Sequence, residues 1–198
     1  MSAGSLAVSG SNPSWKLPSR GQIAMFCLIT AESAIFTIFI IAYLFYLGKS
    51  ATGPQPQNVL SPPVFFTICL LSSSITIHLA TQRIEAGKTR SFALWWILTI
   101  LLGALFLFGT AREWHHLIYD EGLTIQTNLF GTTYYSLVGL HGFHVTVGLV
   151  LLSTVAIFSA FGLVRQEHAA RVQVLALYWH FVDAVWVVVF TVVYILGR

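Results

Sequence analysis

Apolar residues run along this chain in long unbroken blocks, separated by short polar stretches, rather than alternating or recurring once per helical turn. Five blocks stand out: about Gln22 to Leu47, about Pro63 to Gln82, about Ser91 to Trp114, about Thr132 to Leu163 and about Val172 to Leu196, named spans one to five below. Each reaches the roughly 20 residues that a helix needs to cross ~30 Å of hydrocarbon. The fourth is long enough to tilt or to project beyond the lipid. A chain in lipid must pair its own backbone groups, so only helices or a closed barrel can span. Barrel strands would be about ten residues long with alternating polarity, and these blocks do not alternate. The pattern predicts an all-α fold, an integral membrane bundle of five transmembrane helices. There is no internal repeat, and an odd span count argues against inverted halves.

The polar stretches carry turn chemistry. Gly48 closes span one and begins the loop "GKSATGPQPQNVLSPP", whose Pro63 suits the first turn of span two. The segments "RIEAGKTR", "HHLIYDEGLTIQTNLFG" and "RQEHAAR" separate the remaining spans. Residues 1–21 read as a flexible cytoplasmic tail rich in Ser and Gly, with no apolar core followed by a small-residue cleavage site. No cleavable signal peptide is expected there, and span one should act as its own insertion signal. Residues 22–198 then form one transmembrane domain.

Composition agrees with lipid as the solvent. Of 198 residues 56% are hydrophobic and 9% charged, against about 25% charged in soluble domains. The net charge of +3 is dispersed, which gives nucleic-acid binding no support. Cys27 and Cys69 lie inside apolar blocks without CxxC spacing and read as buried apolar side chains. With the N-terminus inside, Lys16, Arg20, Arg83, Lys88, Arg90, Arg165 and Arg171 are inner, and Lys49, Arg112 and Arg198 outer. The positive-inside rule therefore puts the N-terminus in the cytoplasm. Trp15, Trp95, Trp96 and Trp114 sit near span ends, where interfacial aromatics belong.

A few ionisable groups interrupt the spans: Glu32, His78, Glu113, His141, His144, His180 and Asp183. Charge at the bilayer centre is costly, so such groups usually face the bundle interior and pair. They form either a functional site or a structural hydrogen-bond network between helices. At about 1.5 Å per residue, Glu32 lies about 15 Å from Gln22, His144 about 18 Å from Thr132 and Asp183 about 17 Å from Val172. All three are near mid-membrane. The expectation is a Glu32–His144 contact at mid-depth and an outer cluster of Glu113 with His141. Gly139, Gly142 and Gly148 should let another helix approach span four closely, as should Ser72 to Ser74 on span two. Carboxylate-bridged di-metal bundles use Glu-x-x-His pairs from two helices and a Glu from each of two more. Here the pairs are His-x-x-His and His-x-x-Asp, so metal ligation is the weaker reading. Two imidazoles three apart on one helix face cannot flank a single haem iron.

Two stretches carry a family resemblance. "GLHGFHVTVGL" on span four, followed by "YWHFVDAVWVVVFTVVYILG" on span five, resembles subunit III of the haem-copper terminal oxidases through Gly139, His141, Gly142, His144, Val145, Trp179, His180, Phe181, Asp183, Val185 and Trp186. Span one resembles the same family at Glu32, Phe36, Ala42 and Tyr43, and the end of span three at Ala111, Glu113 and Trp114. The likeness covers all five spans. Ala31 replaces the family's usual Ser, Thr110 stands where Gln is common, and five spans match the short bacterial forms. The resemblance implies a multi-pass subunit of the bacterial plasma membrane that carries no metal, no catalytic residue and no cofactor of its own. Its partners would be subunit I, which holds haem and copper, and subunit II. Phospholipid would occupy a V-shaped cleft between helices one and two and helices three to five. The complex would reduce oxygen to water and pump protons, with this subunit stabilising subunit I and aiding proton uptake. A quinol oxidase subunit III and a nitric oxide reductase accessory subunit stay open. So do, outside the family, a membrane metalloenzyme and a small proton-coupled transporter.

Overall fold

A computed structural model describes residues 19–50 and 53–197. The tail expected over 1–21 therefore lies outside the described residues as far as residue 18, with Trp15 and Lys16, and so does Arg198. The described residues are helices and connecting turns, with five helices long and apolar enough to cross a membrane. Span one is Arg20–Tyr46, span two Val64–Glu85, span three Thr89–Tyr119 and span four Leu129–Ala160. Span five is Ala169–Phe190, prolonged by a wider π turn over Thr191–Leu196. A single helical turn, Pro56–Val59, sits in the loop between spans one and two.

The helix ends follow local chemistry. Ser19 caps span one in a reciprocal box: its Oγ accepts from the Gln22 N–H at 3.3 Å, and Gln22 Oε1 accepts from the Ser19 N–H at 2.9 Å. That cap draws Arg20 and Gly21 into the helix. Pro63 is the cap of span two rather than its first helical residue. Asn128 caps span four, its Oδ1 accepting from the Gly131 N–H at 2.8 Å, and this sets the start at Leu129. Gly87 makes the tight turn between spans two and three at φ +70°, a conformation with little cost only for glycine.

That short turn decides the packing. Spans two and three pack along the largest shared face, as short connections between antiparallel helices require. Span two also packs on span five, span three on span four, and span four on span five. Span one leans on spans four and five and is the least buried of the five. The expected grouping of helices one and two as one arm of a V is not what forms. Spans one and two share no extensive face, because the long loop between them imposes no adjacency. Span five instead lies between them.

Three indoles lock the centre. Trp96, Trp179 and Trp186 are fully buried. Trp96 Nε1 donates to the Leu152 carbonyl at 2.9 Å, Trp179 Nε1 to Ser73 Oγ at 2.8 Å and Trp186 Nε1 to Thr67 Oγ1 at 3.2 Å. Trp96 is thus a core group and not an interfacial anchor. Trp96 lies seven residues, about two turns, inside the observed start at Thr89 and faces span four. The Trp179 ring fits between Gly103 of span three and Gly148 of span four, where an added Cβ would meet it at 2.8 and 2.7 Å.

The glycines of span four divide accordingly. Gly148 takes the Trp179 ring, and a Cβ on Gly139 would meet Trp114 at 3.3 Å. Gly142 has open space where a Cβ would stand, so the close helix approach expected there does not occur. Overpacking costs about 1–3 kcal/mol. Gly148→Ala should accordingly lower the denaturation midpoint of the solubilised protein, whereas Gly142→Ala should leave it unchanged within error.

Candidate functional site

The intramembrane polar groups fall into three clusters. In the first, His144 of span four meets Glu32 of span one, Nε2 to Oε2 at 3.1 Å, with side chains 7% and 23% exposed. The other ring nitrogen, Nδ1, lies 2.8 Å from the Leu140 carbonyl of its own helix. A carbonyl can only accept, so Nδ1 carries a hydrogen. The Nε2–Oε2 contact then needs one further proton, either on the carboxyl group or on the imidazole. Both forms are neutral overall, the condition under which a carboxyl group is tolerable at this depth. Phe36 packs on the His144 ring at 5.0 Å, and the Tyr178 hydroxyl donates to the His144 carbonyl at 3.2 Å.

The second cluster joins spans two and five. Ser74 Oγ lies 3.0 Å from His180 Nδ1 and donates to Asp183 Oδ2. Because the hydroxyl has one hydrogen and gives it to Asp183, His180 must donate to Ser74. The chain runs from His180 through Ser74 to Asp183, which is 3% exposed and has no partner at Oδ1. His78 meets only Gln82 of its own helix, at 3.0 Å.

The third cluster differs from expectation. Glu113 does not meet His141. Its Oε1 accepts from the Tyr194 hydroxyl at 2.8 Å, and that hydroxyl lies 3.4 Å from the Tyr134 hydroxyl. The phenols of spans four and five occupy the carboxyl group that the imidazole was expected to meet. His141 is buried instead among rings: it stacks on Trp186 at 4.8 Å and 29° and meets the edge of Phe106 at 5.7 Å, with neither nitrogen hydrogen-bonded.

Glu32, His144, Glu113, His141, His180 and Asp183 are therefore all at or near the packed interior, but in separate places. Ser74, Tyr194 and Tyr134 complete the site and were missed in the sequence. A lone Ser or Tyr in an apolar helix carries no pattern of its own, although the run Ser72 to Ser74 marked the right segment. Among the described residues no group of three His, Cys, Asp or Glu is placed to hold a metal ion.

Five membrane-length helices joined by buried carboxyl–imidazole, carboxyl–hydroxyl and carboxyl–phenol contacts define a polytopic membrane protein. The sequence profile of cytochrome c oxidase subunit III matches residues 20–198, and the chain belongs to that family. It is 35% identical over 168 residues to cytochrome c oxidase subunit 3 of Alkalihalophilus pseudofirmus, covering 84% of this chain and 82% of the relative. It is 36% identical over 187 residues to cytochrome c oxidase subunit 3 of Synechocystis, covering 90% and 77%. Quinol oxidase subunit 3 of Bacillus subtilis is 30% identical over 178 residues, covering 88% and 86%.

The geometry separates anchors from bystanders. An unsatisfied buried polar group costs about 1–3 kcal/mol. Glu32→Leu, which leaves His144 Nε2 without a partner, should destabilise by that amount in chemical denaturation. Glu32→Gln should cost less, since its amide still donates to the ring. Ser74→Ala, which removes both bonds to His180 and Asp183, should destabilise the protein by a similar ~1–3 kcal/mol in the same assay.

Proposed function

We propose that this chain is the third subunit of a proton-pumping haem-copper oxidase in a bacterial plasma membrane, with its N-terminus in the cytoplasm. It packs beside subunit I, which holds the haem and copper, in a complex that includes subunit II and reduces oxygen to water. Its own work is to hold that subunit in its active form, to bind phospholipid and to aid proton uptake. It carries no redox centre. The family match across residues 20–198 is the observation that carries this reading. The helix-to-helix polar contacts support it, because they suit a rigid accessory bundle.

Cytochrome c oxidase subunits reach 35% and 36% identity, and a cytochrome bo(3) ubiquinol oxidase subunit 3 of Pseudomonas aeruginosa reaches 35% over 172 residues. A quinol-oxidising complex is the second reading, supported by the 35% and 30% identities to quinol oxidase subunits.

Within this function Glu32 and His144 act as a neutral clamp between spans one and four, and Glu113 and Asp183 as clamps to span five. The Gly139 and Gly148 contacts bring Trp114 and Trp179 close enough for these helices to pack. Gentle solubilisation should recover the chain with a haem- and copper-bearing large subunit that oxidises reduced cytochrome c. Recovery of the chain alone, with no such partner, would overturn the reading. Glu32→Gln keeps a donor toward His144 but loses the exchangeable proton. The surviving complex should pump protons at the wild-type stoichiometry, measured in vesicles. A complex that assembles fully but pumps less would instead make Glu32 a proton carrier.

A further inference from the structure

Span two exposes polar groups where a lipid-facing helix would carry none. Ser74, His78 and Gln82 recur at four-residue intervals and so share one face of the helix. His78 and Gln82 are exposed, beside Ile75, which is 64% exposed. His78 stands seven residues from Glu85, the end of the helix, about 10 Å along its axis. The apolar block of this helix, about Pro63 to Gln82, spans roughly the ~30 Å of the hydrocarbon layer, which puts the imidazole inside it by about one turn.

Other exposed hydroxyls in the spans are self-satisfied: Thr30, Thr37, Thr146 and Thr154 each donate to the carbonyl four residues back on their own helix. His78 has no such recourse. Its one partner is the neighbouring Gln82, which is itself exposed. On span five, half-buried His180 leads through Ser74 to Asp183, whose Oδ1 has no partner. Acyl chains offer neither donors nor acceptors, and a headgroup belongs at the helix end rather than a turn inside it. Spans one and two stand apart here, with span five between them. Phe65, Ile68 and Ile75 of span two are exposed, so the outer surface of this helix is apolar except for this polar stripe.

We infer that the face formed by spans two and five around His78 and His180 docks a transmembrane helix of another subunit, one that presents a hydrogen-bonding side chain at the depth of His78. This rests on the proposed place of the chain in an oxidase complex and adds which face of the chain meets its neighbour. Interhelical polar bonds in membranes favour association and set the register of one helix against the next, so the stripe both attracts and aligns the incoming helix.

The test uses the intact complex in its own membrane. A benzoylphenylalanine photo-crosslinker replaces Ile75, leaving His78 untouched, and the illuminated complex is purified through its haem-bearing subunit. The expected product is a covalent adduct between this chain and another polypeptide of the complex, mapped by mass spectrometry to a membrane-spanning segment. An adduct with lipid only, or with a second copy of this chain, overturns the assignment. In parallel, His78→Leu should lower retention of this chain on the complex during detergent washing by roughly three- to tenfold, the size of one interhelical polar contact. His78→Gln should restore most of it. Retention of the His78→Leu chain at the wild-type level would also overturn the inference. If the unaltered chain does not travel with a haem-bearing subunit at all, the proposed function fails instead, and that is read before any variant is made.

Discussion

Lipid satisfies no hydrogen bond, and the arrangement of this bundle follows from that constraint. A polar side chain placed within a span is stabilised by a protein partner or by returning to its own backbone. Exposed Thr and Ser residues take the second route. Glu32, Glu113, Ser74, His144 and Asp183 take the first, and each makes a bond that joins two helices far apart in sequence. A bond that would add little in water becomes a positional constraint here, because the alternative is a bare polar group in hydrocarbon. The Glu32–His144 contact has particular weight, since span one is the least buried helix and this is a polar tie between it and span four.

Close packing supplies the complementary constraint. Apolar side chains gain nothing by leaving lipid for one another, so association depends on shape. The Trp179 ring, held between Gly103 and Gly148 and tethered by Ser73, brings spans two, three, four and five to one point. Trp186, about two turns along span five, is stacked on His141 and bonded to Thr67. His141 is thus a flat ring in an aromatic stack rather than an acid–base group. Its neighbour His144, three residues on, points to span one and bonds a carboxyl group. Two histidines on one helix face consequently do different work, because different helices cover them.

Much of this was legible in the sequence, for stated reasons. Block length and the lack of alternation predicted five helices, since hydrocarbon thickness and backbone pairing leave few other solutions. The depth of Glu32 and His144 could be estimated from helical rise alone, and the two do meet. Depth says nothing about azimuth, however. Glu113 and His141 lie at compatible depths yet never touch, because Tyr194 and Tyr134 reach the carboxyl group first. Gly142 sits among glycines that receive indole rings, and receives none. Trp96 near a span end looked interfacial, but it faces span four and lies in the core.

The sequence by itself determined the solvent, the number of helices, the polar groups needing partners and, through "GLHGFHVTVGL" and "YWHFVDAVW", the family. Those properties are written in composition, length and local spacing, which a one-dimensional chain displays in full. Only the tertiary structure decided which helix each polar group faces. That choice depends on the rotation of each helix about its axis and on which helices a loop allows to be neighbours. The tight turn at Gly87 pressed span two onto span three, while the long loop after Gly48 left span one free to settle on spans four and five. Partner identity within the membrane followed from those two connections, and no local spacing encodes it.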